Sequence, residues 1–223
     1  MFYIGKNGLV LLILIFLLLP GGENMEAKAA HEMGLGIDVV VEPALKPLFC
    51  HQPNIYCRNG CVYVVGEVEN TGACSLSWVE VEVEFYGAQE QVLDRQIAYI
   101  KHLNSGEKKP YRLLAFEPEP ITGVKIRLGE GLTVPEQVLP LVVENLAVSA
   151  GPGNFLQLTG QIVNNGSEVI DFVKLTVSFI TGTGEIVDST SFFLSNIPAG
   201  GGKGFSFYSQ VEAGWTEVSI NFD

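Results

Sequence analysis

Five residues offer chemistry by type and spacing: Cys50, His51, Cys57, Cys61 and Cys74. Thiols and an imidazole can close disulfides or hold a metal. The four cysteines are an even set, which in an exported chain reads as a disulfide framework with three possible pairings. The segment Cys57-Arg58-Asn59-Gly60-Cys61 predicts a three-residue hairpin loop with Gly60 as its bulge residue. Cys57 and Cys61 would then face each other within bonding reach. Cys50–Cys74 would be the second bridge. Cys61 and Cys74 flank one strand and would stand ~25 Å apart, so Cys50 must fold back along the sheet to reach Cys74. The rival reading is metal: Cys50, His51, Cys57 and Cys61 supply three thiolates and an imidazole, a permissible zinc set. Their spacing lacks the C-x-x-C of a zinc knuckle, and without C-x-x-C-H there is no c-type haem. No other cofactor is expected.

The remaining constellations are thinner. Glu80, Glu82 and Glu84, with Glu67 and Glu69 on the neighbouring strand, could gather calcium, but no calcium-loop pattern accompanies them and a solvated face explains them. The histidines are His31, His51 and His102, and no G-x-S-x-G, H-E-x-x-H or phosphate loop occurs. Glycines 200–204 lie between strands, with no helix N-terminus behind them to hold phosphate. Trp78, Trp215, Tyr63 and Tyr208 could form a sugar or peptide platform. Trp78 aligns with Phe172, however, and that favours packing in both places. No acid, base and nucleophile group together, so a non-enzymatic protein is expected.

The elements that must position these residues recur. Gly66-Glu67-Val68-Glu69-Asn70-Thr71-Gly72 is matched by Gly160-Gln161-Ile162-Val163-Asn164-Asn165-Gly166, 94 positions later. The same offset links Phe85 to Phe179, Asp94 to Asp188, Gly106 to Gly200 and Val124 to Val218 without a gap. A period this long gives each copy its own core, so two homologous domains are expected. Each copy reads as a strand, a tight Asn-x-Gly turn whose residues tolerate positive φ, and a return strand. Val79, Val81, Val83 and Phe85 alternate with glutamates, as Val173, Leu175, Val177 and Phe179 alternate with Lys174, Thr176 and Ser178. One buried and one wet face marks an antiparallel sheet. Val62, Val64, Gly66 and Val68 form the inward face of the preceding strand.

About seven short strands per copy, with almost no helical periodicity, predict an all-β protein. The expected architecture is two tandem immunoglobulin-like antiparallel β-sandwich domains after a signal peptide. Residues 1–29 are the signal, 30–130 the first domain, 131–137 a linker with Pro135, and 138–223 the second domain. The first domain is expected to carry a Pro-rich, irregular, Cys-containing insertion at 43–61, with no counterpart in the second.

The address comes from the N-terminus. Lys6 precedes an apolar run from Leu9 to Leu19, Pro20-Gly21-Gly22 ends it, and Ala27-Lys28-Ala29 predicts cleavage after Ala29 or Ala30. A helix over that run would be ~16 Å long, short against a ~30 Å bilayer core, which leaves an uncleaved anchor as the alternative. Membrane association is therefore expected only in transit through the signal segment. A net charge of −12 excludes nucleic acid and anionic membrane surfaces as partners, because both call for basic patches. Expected partners are an unidentified protein or an envelope component, at the cell surface or secreted.

These residues also resemble a family. Gly66, Val68, Asn70, Val83, Phe85, Tyr86, Leu93, Asp94, Leu103 and Gly106 resemble the pattern of the bacterial and archaeal extracellular FxLYD-type domains. In the second copy Gly160, Ile162, Asn164, Val177, Phe179, Val187, Asp188, Ile197 and Gly200 carry it. The pattern departs at the signature acid after the aromatic, where Gly87 and Thr181 stand. The resemblance implies a secreted or cell-surface sandwich and carries no catalytic residues. It leaves a binding or structural module as the leading expectation, a metal-handling protein as the alternative, and a strand-donating subunit as a third.

Overall fold

A computed structural model describes residues 37–42, 47–116 and 120–223, and every regular element among them is a strand. Lys6, the apolar run, the expected cleavage points Ala29 and Ala30, and His31 lie outside the described residues. Among the described residues no helix is long and apolar enough to cross a membrane. These residues divide into two compact units, 37–137 and Val138–Asp223.

Unit one contains β1 (Asp38–Val41), β2 (Leu48–Cys50), β3 (Asn54–Arg58), β4 (Cys61–Asn70), β5 (Ser75–Tyr86), β6 (Val92–Leu103), β7 (Lys108–Phe116), β8 (Gly123–Glu130) and β9 (Thr133–Val134). One sheet runs β1-β8-β5-β6, with β9 paired to the start of β5. In the other, β2 and β3 pair with successive parts of β4, and β7 pairs along it. Unit two contains β10 (Leu141–Ala150), β11 (Phe155–Asn164), β12 (Ile170–Ile180), β13 (Ile186–Ile197), β14 (Gly202–Gln210) and β15 (Glu217–Phe222). Its sheets are β10-β11-β14 and β13-β12-β15. All pairings are antiparallel except that of β1 with β8.

Alternation builds the cores. Val79, Val81, Val83 and Phe85 of β5 are fully enclosed with Val64 and Val68 of β4, so one apolar cluster joins the two sheets. Val173, Leu175, Val177 and Phe179 meet Leu158 and Ile162 in the same way. The period of two along each strand puts these residues on one face. Gly66 pairs with Tyr111 across β4 and β7, and Gly160 pairs with Phe205 across β11 and β14. A methyl on either glycine would come within 2.6 Å of the partner ring or its hydroxyl. Glycine is thus needed there to seat an aromatic ring against backbone.

The Asn-x-Gly segment differs from its expected form. β4 and β5 lie in different sheets, so Asn70-Thr71-Gly72 is a corner between sheets and not a hairpin loop. None of Asn70, Gly72, Asn164 and Gly166 has positive φ. Asn70 is present for its amide: with no exposure, its Nδ2 donates to the carbonyls of Cys74 (2.9 Å) and Leu103 (3.0 Å), and its Oδ1 accepts from the Gly72 amide (3.0 Å). Asn164 repeats this with Glu168 (2.7 Å), Ile197 (3.2 Å) and Gly166 (2.9 Å). Gly72 and Gly166 are required because the rings of Pro47 and Pro140 occupy the space of a side chain.

The expected insertion at 43–61 is also corrected, over its described part. β2 and β3 are two pieces of one strand, interrupted at residues 51–53, and they match β10. Leu48 pairs with Asn70 as Leu141 pairs with Asn164, and Ile55 pairs with Val64 as Val148 pairs with Leu158. The matching positions are 93 apart here rather than 94. The difference is one residue in the hairpin loop, Asn59-Gly60 against Pro152-Gly153-Asn154. Asn59 and Gly60 both have positive φ (52° and 77°), the two-residue type I′ turn that Asn-Gly favours. The expected linker is instead tied to unit one. β9 falls inside it, the Ser77 amide donates to the Leu132 carbonyl, and Asn104 exchanges two hydrogen bonds with the Gln137 backbone.

Replacing Asn70 with Ala leaves two carbonyls and an amide unsatisfied in a buried corner, at a cost of about 3 kcal/mol or more. Trp78 and Trp215 report the units separately in single-tryptophan variants. N70A should lower the denaturation midpoint followed by Trp78 far more than that followed by Trp215, and N164A should do the reverse.

Candidate functional site

The cysteines do not assemble. Cys50 points into the core from β2, its sulfur 3.6 Å from the Tyr111 hydroxyl, and burial pushes its thiol pKa up. His51 turns the other way: Nε2 lies 2.9 Å from Glu69 Oε2, and the ring meets Phe49 edge-on at 4.8 Å. Cys50 pairs with Val68 near one end of β4, whereas Cys61 begins that strand, ~23 Å away at the usual rise. The proposed zinc set of Cys50, His51, Cys57 and Cys61 therefore does not converge. Among the described residues no group of three or more His, Cys, Asp or Glu side chains is placed to hold a metal ion.

The expected disulfide geometry is corrected as well. The type I′ turn pairs Arg58 with Cys61 and Cys57 with Val62, so Cys57 and Cys61 are diagonal neighbours pointing to opposite faces. Partial burial raises the Cys57 thiol pKa, and the nearby Cys61 adds to the rise. Cys74 is exposed at the corner while Cys50 is buried, and all four cysteines are free thiols in this structure.

The glutamate stripe is paired rather than solvated. Glu84 is 2% exposed. Arg95 and the Tyr86 hydroxyl contact it closely, and Arg127 Nη2 stands 3.0 Å away. Arg127 also reaches Glu82 (2.8 Å) and Glu42 (3.0 Å), and Lys125 contacts Glu42. Cross-strand register explains this: Glu84 sits between Arg95 and Lys125, and Glu82 sits opposite Arg127. β5 is flanked by β6 and β8, so the stripe guards no edge. In unit two the corresponding β12 face carries Lys174, Thr176 and Ser178, with a Thr176–Ser191 hydroxyl contact at 3.0 Å.

The outer face of the β3-β4-β7 sheet carries a feature of another kind. Tyr56 and Tyr63, opposite each other, stack at 5.0 Å with a 16° interplanar angle. The Arg58 guanidinium lies 4.8 Å from the Tyr56 ring centre, and that of Arg112 lies 4.4 Å from Tyr63. Such cation–π contacts contribute about 0.5–2 kcal/mol each and hold the guanidiniums in place. Beside this ladder, Asp94 and Gln96 of β6 and Arg112, Leu113, Leu114 and Phe116 of β7 line an open cleft of about 510 Å³. β6 and β7 are edge strands of the two sheets, so the cleft lies on an open side of unit one. Asp94 Oδ1 accepts from the Arg95 amide and Oδ2 from Gln96 Nε2, both at 2.7 Å. Phe116 at the rim is 73% exposed.

Unit two does not repeat the ladder. Ser149, Gln157, Gly151 and Ser206 stand where Tyr56, Tyr63, Arg58 and Arg112 do, with a 3.2 Å Gln157–Ser206 hydrogen bond. Asp188, the counterpart of Asp94, is 2% exposed. The four-aromatic platform does not form: Trp78 meets Tyr99 edge-on at 6.0 Å on the β5-β6 sheet, Tyr63 lies on the other sheet, and Trp215 packs on Phe179 at 5.6 Å in unit two. Trp78 and Phe172 are not core: both are exposed, and Phe172 stacks on Phe193 at 4.9 Å. Tyr63 was readable as outward-facing. Tyr56, Arg58 and Arg112 were missed, although Asn59-Gly60 read as a two-residue turn would have set Tyr56 against Tyr63.

No protein-family model matches the chain, and no curated protein sequence matches it. Among solved structures, red sea bream transglutaminase aligns with 77% of this chain at 10% identity and a TM-score of 0.24. The chain spans 28% of that protein's length. The N-terminal CBM22-1-CBM22-2 tandem domain of Paenibacillus barcinonensis Xyn10C aligns with 78% of this chain and 88% of its own, at 11% identity and a TM-score of 0.17.

The Tyr86 hydroxyl, with Arg127 and Arg95, lowers the Glu84 pKa from 4.5 to about 2. The folded carboxyl is thus the stronger acid, so its ionisation stabilises unit one above pH 4.5, and that contribution is lost as pH falls toward 2. Wild type should melt higher than E84Q, by a margin that is constant above pH 4.5 and shrinks toward pH 2. Scanning calorimetry of both proteins across that range checks it.

Proposed function

We propose that the chain is an exported, non-enzymatic binding protein of the cell surface or envelope, built from two immunoglobulin-like sandwiches. Unit one carries the ligand site, and unit two serves as its structural companion. The leader-like sequence of residues 1–29, the FxLYD-like positions and the strand orders support this reading. Unit two packs β10-β11-β14 against β13-β12-β15, and unit one repeats those orders with β2 and β3 as one strand beside β4 and β7, and with β6-β5-β8, to which β1 and β9 are added. The chain passes between sheets at the Asn-x-Gly corner, as Greek-key sandwiches do.

The observation that carries the proposal is the difference between the copies. Every feature they share serves shape: the corner amide, the glycine beneath an aromatic ring, the alternating core. The Arg–Tyr ladder stands in unit one, beside the cleft, and its residues are not repeated in unit two. Unit two folds with Ser and Gln at those places, so the scaffold does not require the ladder. Ladders of rings and guanidiniums are the side chains that binding surfaces favour.

The mature chain should sediment with cell-envelope fragments, and a Y63A/R112A variant should lose at least tenfold in retention. The matched unit-two variant Q157A/S206A should bind as wild type does. Equal retention of all three would refute the assignment to unit one.

A further inference from the structure

We infer that the edge of β13 in unit two pairs with the same strand of a second copy of the chain, giving a two-fold dimer. β13 has β12 on one side, and among the described residues no strand lies on its other side. Long edges are normally guarded by charges, prolines or bulges, because their unpaired backbone recruits further strands. From Ser189 to Ile197, β13 has no charged residue, no proline and no shift in its register with β12. Other edges are guarded: Pro110 lies within β7, residues 51–53 divide β2 from β3, and β10 shifts register between Glu144 and Ala147. At the β13 edge Phe193 is 57% exposed, and Phe192 is only partly buried, its ring 4.3 Å from that of Phe207.

The backbone of that edge fixes the register. Within a strand the N–H and C=O of one residue point to the same side, and the side alternates along the chain. The Ser189 amide donates to Asp188 Oδ1 (2.8 Å), and the Ser195 carbonyl accepts from Lys203 Nζ. Ser189, Ser191, Phe193 and Ser195 thus turn their backbone groups away from β12, and side chains already hold one group at each end. A two-fold axis at Phe192 sets Ser189 opposite Ser195 of the other copy, so the two held groups face each other. Ser191 then exchanges both backbone hydrogen bonds with Phe193 of the other copy, and the Ser195 amide meets the Ser189 carbonyl. The two Phe192 rings stand opposite each other at the axis, and aromatic cross-strand pairs stabilise antiparallel strands. Lys203 of each copy approaches Asp188 of the other, so opposite charges meet.

Unit one has the same edge with the pairing blocked. In β6 the Arg95 amide donates to Asp94 Oδ1 at 2.7 Å, and the Lys101 carbonyl accepts from Lys109 Nζ at 2.8 Å. The equivalent axis falls at Ala98, which offers no ring. It would set Arg95 opposite Lys101 of the other copy, twice, and like charges directly opposite destabilise a strand pair. In β13 those two positions are Ser189 and Ser195.

Analytical ultracentrifugation of the mature chain, paired with amide exchange, tests the inference. Wild type should pass from monomer to dimer between micromolar and submillimolar concentrations. S191P removes an outward N–H and leaves the β12 ladder its donors, a place where an edge strand tolerates proline. It should weaken the dimer tenfold or more. I97P, the matched change in β6, should leave dimerisation unchanged. In wild type the Ser191 and Phe193 amides should exchange slowly in the dimer and fast on dilution, which reads the edge even if S191P fails to fold. A chain that stays monomeric, a dimer that survives S191P, or edge amides that exchange fast in the dimer would overturn the inference. Slow edge amides in a monomer would mean that another part of the chain covers β13. Protection that appears only on adding envelope fragments would give the edge to another protein. Either result removes the second copy as the occupant.

Discussion

Asn70 and Asn164 each place a primary amide, with no exposure to solvent, at the corner where the chain leaves one sheet for the other. A buried amide is costly unless its donors and acceptor are met. Here each is met three times by backbone groups: two carbonyls, one following the corner and one at the end of β6 or β13, and the amide two residues on. The side chain thereby ties two strand ends from different sheets to one turn. A proline ring packed over the glycine of the same corner, Pro47 or Pro140, draws in β2 and β10. Much of what the two units share follows from this arrangement: the sheet-to-sheet crossing, the register of β2 on β4, and the placement of the aromatic ring over Gly66 or Gly160.

Because the scaffold occurs twice in one chain, each copy serves as a control for the other. Positions that hold the same residue type in both are those the packing demands. Among those that differ, Tyr56, Arg58, Tyr63 and Arg112 lie together on one outer face of unit one. One outer face carries the network of Glu42, Glu82, Glu84, Arg95 and Arg127. The other carries the Arg–Tyr ladder and borders the cleft between the edge strands. The network is closed on itself, its charges matched across strands, so it serves cohesion better than recognition. The cleft is lined by an exposed ring, an oriented carboxylate and a guanidinium stacked on Tyr63.

The alternating core of β5 and β12 and the 94-residue offset were legible in the sequence, because the period of two and the internal duplication both survive without context. The meaning of Asn-x-Gly was not. The same letters suit a left-handed turn and a buried amide bracket, and only the neighbouring strand ends distinguish them. The stretch from Glu42 to Tyr56 read as irregular because Pro43, Pro47 and Pro53 and the break at 51–53 mask a strand in two pieces. That error propagated. With the loop at Asn59-Gly60 assigned three residues instead of two, Cys57 was set against Cys61, and Tyr56, Arg58 and Arg112 went unnoticed. A shift of one residue in a strand exchanges its faces, which explains how a single turn concealed the ladder.

The corner amide can be observed directly by nuclear magnetic resonance. The account requires the side-chain NH₂ protons of Asn70 and Asn164 to exchange with solvent as slowly as the core backbone amides of β5 and β12, in both units alike. Exchange at the rate of an exposed asparagine, in either unit, would contradict it.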